Sequence, residues 1–461
     1  MSQVAQMLDE VSFRRVVGFA CNQSFLLFLM YMGLNRSVPF SSGAFERVDL
    51  VASLAFMVFA LVALGRMSDA HRAIVLSRPA LLSSATVMAL VSLCPGSWHN
   101  LAILAASAVV GACSAFLLAA WGRSFGMIDA QKAIPEVFVG SLLAAMLCLL
   151  FSLASVDQVI LLMRVFPIAG AAWIDIPDAS SAPSFLGGAL PKGTDMLSAK
   201  VMCGTLCFGL AAGLLETYGS APGSRAVAGC QLAMHLFGAF LIGALSLMLT
   251  DGFGKGDALN KSYRLATFVM LAGVLLVPLS AGEAGLISGQ AVVLGGYLGL
   301  ETVLICLFLV VARLRGTEGV VAFCSGFACL FGGEAGGVAL SNVITVSLST
   351  DATPYLVVVL AGCLALAACI FLFTERDFDS LSKVIESDNH FEDVCACLAR
   401  EFGLSKREAE IVPYALGGRT SSRIAEELGI SKSTVDTHLR RIYAKCGVSG
   451  RQELIDLKER R

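Results

Sequence analysis

Apolar stretches long enough to cross a bilayer recur along most of this chain, and they restrict its first 373 residues to one kind of architecture. A spanning helix needs about 20 mostly apolar residues. Twelve stretches meet that length or come close to it: 14–33, 48–65, 74–94, 100–121, 134–154, 158–174, 199–218, 226–249, 264–281, 286–312, 319–346 and 353–373. Inside hydrocarbon every backbone N–H and C=O must be paired within the protein, so each stretch is expected to be a helix. Composition agrees. Hydrophobic residues make up 56% of the chain and charged residues 15%, against about 25% charged in soluble domains. The expected fold is all-α: a polytopic bundle of twelve spans in two six-helix halves, followed by a small four-helix domain. The second stretch is short and the third carries Arg78 and Pro79 near its start, so eleven or thirteen spans stay open.

Lys and Arg in the short connections set the orientation. With the N-terminus in the cytoplasm, the inner connections hold 14 basic residues, among them Arg66, Arg72, Arg123, Lys261 and Arg313. The outer ones hold 3: Arg36, Arg47 and Arg225. An even number of spans then returns the C-terminus to the cytoplasm. The longest connection, about 174–198, is rich in Pro, Gly and Ser. It reads as the seam between two halves, 1–198 and 199–373. Asn35 and Arg36 follow the first apolar stretch, so it reads as a retained span and not as a cleaved signal. The 15 cysteines lie mostly in apolar runs, such as Cys203 and Cys207 or Cys363 and Cys369. There Cys behaves as a small apolar residue. Cys395 and Cys397 form a C-x-C without a second pair, so neither metal nor cofactor is expected. The sequence has no nucleophile elbow, phosphate loop or kinase motif set, and no catalytic residue is assigned.

Twelve spans in two halves resemble the major facilitator fold. The loop after the second span, Gly65-Arg66-Met67-Ser68-Asp69-Ala70-His71-Arg72, is similar to that family's loop motif: a glycine, an aspartate four residues on, then basic residues. The motif's later glycine is missing. The resemblance covers about residues 10–375 in architecture. It implies either transport or a loop contact that caps a helix without transport.

Ionisable groups inside spans are costly and mark function by default. Four form the candidate membrane signal or ligand site: Arg164, His235, Glu301 and Glu334. Glu334 lies in Phe331-Gly332-Gly333-Glu334-Ala335-Gly336-Gly337. Those glycines predict either close helix packing or a local break in the helix. The competing reading is structural: a Glu–Arg or Glu–hydroxyl contact, or a neutral histidine bonded inside the bundle. Trp121, Trp173 and Tyr218 fall near span ends and read as interfacial anchors.

After Phe373 the chain turns polar. Residues 374–400 read as a linker, either a solvated tether or an amphipathic coupling helix carrying Leu381, Val384, Ile385, Phe391, Val394 and Leu398. Residues 401–461 hold 12 Lys and Arg against 9 Asp and Glu, although the whole chain carries net charge −2. Ser405-Lys406-Arg407-Glu408 is a capping box that opens a first helix. Pro413 should kink or shorten it, and Gly417-Gly418 ends it. A second helix covers about 421–428, and Ser431 caps a third over about 432–445. A fourth covers about 451–457. In the third, Val435, Leu439, Ile442 and Cys446 make one apolar face. Its other surface carries Lys432, Ser433, Asp436, Thr437, Arg440, Arg441 and Lys445. A helix with donors on one face suits the major groove of DNA.

These residues closely resemble the LuxR/NarL-type helix-turn-helix domain. The match runs through Leu404, Arg407, Glu408, Glu410, Gly418, Arg419 and Thr420. It continues with Ile424, Ala425, Leu428, Ser431, Thr434, Val435 and His438, then Ile442, Tyr443, Lys445, Val448 and Arg451. The resemblance implies that the third helix enters the major groove and that the fourth can pair two copies on DNA. It implies Thr434, Thr437, Arg440 and Lys445 as contacts. Asp436 stands where the family usually has lysine, and Cys446 where it has leucine. The expectation is a one-component transcriptional regulator of the bacterial inner membrane, with both termini cytoplasmic. Its partners would be double-stranded DNA, membrane lipid, a small-molecule or membrane signal and, on DNA, a second copy. The alternatives are a transporter that also regulates transcription, and a membrane protein whose small domain binds protein.

Overall fold

The computed structural model describes residues 12–32, 36–40, 43–91, 100–128, 130–153, 156–175, 194–217, 230–251, 256–281, 288–315, 319–348, 352–372, 394–395 and 397–459. Most of the predicted seam, Tyr218, Arg225 and residues 374–393 of the predicted linker lie outside the described residues.

Twelve helical segments fall on the twelve predicted stretches. The first six are α1 (Phe13–Tyr31), α2 (Val48–Arg66), α3 with α4 (Asp69–Val75, Arg78–Val91), α5 (Asn100–Gly126), α6 (Ala130–Phe151) and α7 (Val156–Ala172). The next six are α8 (Thr194–Glu216), α9 (Cys230–Asp251), α10 (Gly256–Leu276), α11 (Gly289–Arg315), α12 (Gly319–Leu348) and α13 (Thr353–Ala367). A π-helical turn, Ala368–Leu372, extends α13. Among the described residues, eight helices are long and apolar enough to cross a membrane, or nine if α3 and α4, bent by 51°, make one span. The other three are short or polar: α1 carries Arg14 and Arg15, α7 has 17 residues around Arg164, and α10 holds Asp257, Lys261 and Arg264. A small antiparallel hairpin, β1 (Val38–Phe40) with β2 (Gly43–Phe45), joins α1 to α2, with Val38 opposite Phe45.

The second half repeats the packing of the first. α1 lies on α6 and α7 as α8 lies on α12 and α13. α2 lies on α5 as α9 lies on α11, and α4 meets α5 and α7 as α10 meets α11 and α13. Between the halves α2 packs on α12 and α6 on α9, the same pair of positions exchanged. The loop after α2 ends in a cap: Arg72 is buried, and its guanidinium donates to the carbonyls of Leu64 (3.2 Å) and Met67 (2.9 Å) at the C-terminus of α2.

α12 runs unbroken from Gly319 to Leu348, so the glycines around Glu334 serve close packing and not a break. A Cβ at Gly333 would lie 2.3 Å from the Leu206 carbonyl oxygen, and one at Gly337 2.4 Å from that of Leu210. From the other side, a Cβ at Gly209 or Gly213 would lie 2.1 Å from the carbonyl oxygen of Leu330 or Glu334. The backbones of α8 and α12 therefore touch. Trp121 is not an interfacial anchor. It is fully buried and packs edge-on against Phe19, with ring centroids 5.6 Å apart.

The C-terminal unit has its own core on α14 (Lys406–Leu416), α15 (Ser421–Leu428), α16 (Lys432–Cys446) and α17 (Arg451–Glu459). Val394, Cys395 and Leu398 are buried in that core. The boundary expected at 401 thus falls inside a packed unit, because these three apolar residues need a surface to cover them. Pro413 sits inside α14 without ending it.

Gly213→Val should prevent the bundle from folding, since the contact it would invade is backbone and cannot move aside. Gly336→Ala, whose Cβ would meet the Leu210 side chain at 3.5 Å, should be tolerated. Yield and monodispersity of the two variants after membrane extraction measure this, and equal behaviour would contradict the packing.

Candidate functional site

In the C-terminal unit three caps fix the helices. Ser405 and Glu408 form the predicted capping box, with Ser405 N donating to Glu408 Oε2 at 2.7 Å. Thr420 caps α15. Gly429 turns the chain with φ 62°, a left-handed conformation that glycine adopts without strain. Ser431 then caps α16 through a 3.1 Å bond from Thr434 N. Val435, Leu439, Ile442 and Cys446 are buried as predicted. At about 100° per residue, this places Ser433, Thr437, Arg440 and Arg441 on the side away from the core, where all four are exposed. Thr434 and Lys432 are exposed on opposite flanks, and Asp436 is half-buried on the flank of Lys432. Thr437 Oγ1 donates to the Ser433 carbonyl at 2.8 Å, and Ser433 Oγ meets Ser431 Oγ at 2.8 Å. Arg440 and Arg441 are thus the cationic groups best presented.

Lys445 is engaged within the fold. Its Nζ donates to Glu408 Oε2 at 2.7 Å and to the Gly403 carbonyl at 2.9 Å. Expected as a DNA contact, it also ties α16 to the start of α14. Sequence could not reveal this, because the two residues are 37 positions apart. Burial opposes charge on Glu408, but bonds from Lys445 and Ser405 outweigh it and hold the carboxyl down at about 2.

The membrane candidates separate into two groups. Arg164 is exposed on α7 beside exposed Leu162, Val165 and Ile168. His235 is exposed on α9, where its Nδ1 meets the Gln231 carbonyl at 2.7 Å. Neither enters the interior. Glu301 and Glu334 do. Glu334 is 1% exposed and accepts from Tyr31 Oη and Tyr297 Oη, each at 3.0 Å and each on a different carboxylate oxygen. Glu301, one turn beyond Tyr297 on α11, is buried and close enough to Glu334 to feel its charge.

Residues not singled out from sequence complete this cluster. Arg47, counted as an outer-loop charge, is buried and bonded to the Glu216 carboxylate and to the Met30 carbonyl. It is the one non-glycine among the described residues with left-handed backbone, at φ 53°. Such a conformation costs about 1–3 kcal/mol and persists only where surrounding contacts hold it. The neighbouring Glu46 is gripped on both sides by one side chain: its N–H donates to Asn342 Oδ1 (2.7 Å) and its carbonyl accepts from Asn342 Nδ2 (3.1 Å). A cavity of about 20 Å³, room for one water molecule, is lined by Tyr31, Glu216, Gln290, Tyr297 and Glu334 among others. It lies between α1 of the first half and α8, α11 and α12 of the second. A second pair was also unforeseen: half-buried Arg15 grips buried Glu136 through two bonds of 2.7 Å at the start of α1. Among the described residues no group of three His, Cys, Asp or Glu could hold a metal ion.

Residues 403–458 match the family model of bacterial regulatory proteins, luxR family. This segment is therefore a LuxR-type helix-turn-helix domain. It is 35% identical over 63 residues to the HTH-type transcriptional regulator MalT of Yersinia pestis (strain Pestoides F), covering 14% of this chain and 7% of that protein. It is 36% identical over 58 residues to MalT of Serratia proteamaculans (strain 568), covering 13% of this chain and 6% of that protein. The chain thus spans a small fraction of the length of these relatives. Among solved structures, it is similar to a bacterial homologue of the iron transporter ferroportin in an outward-facing state. There the TM-score is 0.47 and identity 9%, over 82% of this chain and 99% of that one. It is also similar to a major facilitator superfamily transporter, FucP, in the outward conformation: TM-score 0.44, 11% identity, over 77% of this chain and 97% of that one.

Lys445→Ala should destabilise the C-terminal unit by about 1–3 kcal/mol, the worth of a hydrogen bond to a charged group and of the partner it leaves unpaired. The pH dependence has a definite sign. A carboxyl held below its unfolded value of about 4.3 stabilises fully above that value. The stability is lost as pH falls through the folded value of about 2. Denaturant titrations between these limits should find the wild-type advantage over Lys445→Ala shrinking as pH falls. A constant gap would mean the pair is not coupled to folding.

Proposed function

We propose that this chain is a one-component transcription regulator of the bacterial inner membrane, in which residues 1–198 and 199–373 form the two halves of a sensory bundle. The C-terminal unit then reads promoter DNA from the cytoplasmic side. The observation that carries this reading is the presence, on one chain, of an exposed Arg440–Arg441 surface on α16 and a buried polar cluster between two membrane halves. The excess of basic residues on one side of the spans supports cytoplasmic termini. It strengthens once Arg47, a buried residue, is taken out of the outer loops. The signal binds at Glu334, Glu301 and their neighbours, and it acts by favouring one arrangement of the halves over another. Two copies pair on DNA through α17. Arg164 and His235 face outward and take no part in the signal site.

Arg440→Ala should weaken DNA binding. If Arg440 reads a base, the loss is about 1–3 kcal/mol and preference relaxes at one position. If it meets phosphate, all sequences weaken alike and the salt slope falls by about 1. Unchanged affinity in both Arg440→Ala and Arg441→Ala, with the domain folded, would remove α16 as the reader.

Glu334→Gln keeps size and removes charge. It should insert normally and bind promoter fragments as wild type does, yet abolish or lock the response of the target promoter to the inducing condition. Genome-wide mapping of bound DNA supplies the promoter, and a full response in the variant would make Glu334 a packing residue.

A further inference from the structure

The central cluster is short of positive charge. Glu216, Glu301 and Glu334 are all buried there, and Arg47 is the cationic side chain among them in the described residues. Arg47 is committed to Glu216 and the Met30 carbonyl. Glu334 has a tyrosine hydroxyl on each oxygen. Glu301 has neither kind of help: it is 9% exposed, accepts no hydrogen bond from a described residue, and feels the like charge of Glu334. A buried carboxylate without partners is costly, and it is relieved either by taking up a proton or by a counter-charge.

We propose that this acidic cluster is a site for an organic cation with a guanidinium or ammonium head group, and that Arg47 is a tethered occupant which such a ligand displaces from Glu216. The proposal rests on the reading of the central cluster as the sensory site, and names the class of signal it takes. The open space beside Glu216 and Glu334 is about 20 Å³, enough for one water and too little for a cationic head group. A ligand therefore enters only when the Arg47 guanidinium leaves. The acceptors that Arg47 gives up, the Glu216 carboxylate and the Met30 carbonyl, are those the incoming head group needs. Anions are rejected by the same acid excess.

The exchange reaches beyond the cavity. Arg47 precedes α2, and Glu46 beside it is held to α12 by Asn342. α2 and α12 are the pair that joins the two halves on this side. The Arg47 anchor and the Asn342 grip act on adjacent residues, so occupancy of the cluster and contact between the halves are linked.

Chemical rescue in the purified full-length chain tests this, with thermal unfolding as readout and methylguanidinium, well below denaturing concentrations, as probe. Arg47→Ala should lower the unfolding midpoint, and methylguanidinium should raise it again, saturably. Methylurea, neutral and of similar shape, should not. The double variant Arg47→Ala with Glu216→Gln should lose the rescue. Wild type should need a several-fold higher concentration than Arg47→Ala, because the tethered group competes. If Arg47→Ala does not fold, Arg47→Gly replaces it, since glycine adopts a positive φ without strain. Equal effects of methylguanidinium and methylurea, or rescue that survives Glu216→Gln, would overturn the cation site. Saturable rescue with no change in target-promoter output in cells would leave the cation site standing and overturn the sensory reading instead.

Discussion

The backbones of α8 and α12 touch along Gly209, Gly213, Gly333 and Gly337, and the interior of the membrane part is arranged around that contact. Hydrocarbon tails are as apolar as leucine, so helices in a bilayer gain little from hiding apolar side chains from one another. Dispersion and hydrogen bonding hold them together, and both fall off steeply with distance. Four glycines in register allow the closest approach two helices can make. They fix α12 in rotation as well, and this decides where its polar residues point. Glu334 turns toward Tyr31 and Tyr297, and Asn342, two turns further on, reaches Glu46. A larger residue at any of the four would move all of these together.

From that contact follows the polar interior. Each buried charge has a specific reason to be tolerated. Glu334 accepts two hydroxyl donors, Glu216 is paired with Arg47, and Glu136 takes both arms of Arg15 and the Ser12 amide. Glu301 is the exception, and exceptions of this kind are where bistable behaviour is to be sought. The halves meet at the same place. A change in charge there alters the balance between two packed surfaces and not just one side chain.

The C-terminal unit is governed by ordinary aqueous physics. Its core is built by burying apolar faces, and its polar fastenings sit at the helix ends. Glu408 serves twice, in the capping box and in the tie to Lys445. Val394, Cys395 and Leu398 belong to that core. A displacement of the chain at Val394 is therefore a displacement of the DNA-binding unit itself, with no slack between them.

Much of this was legible in the residues. The twelve stretches, the caps at Ser405 and Ser431, the glycine turn at Gly429 and the buried stripe on α16 all depend on neighbours a few positions away, and local pattern records such neighbours directly. The luxR-type segment was legible for the same reason. Other features depend on residues far apart in the chain. Arg47 and Glu216 are separated by 169 positions, Tyr31 and Glu334 by 303, and Lys445 and Glu408 by 37. Arg47 passed for a loop charge because hydropathy sees only what flanks it. Arg164 and His235 passed for interior groups because a span has an inner and an outer face, and only packing says which is which. Sequence determined which segments are helices and which face of α16 is buried, because hydrogen-bond period and apolar period are local. The tertiary structure decided which charges meet in the interior, because that depends on how close two backbones come.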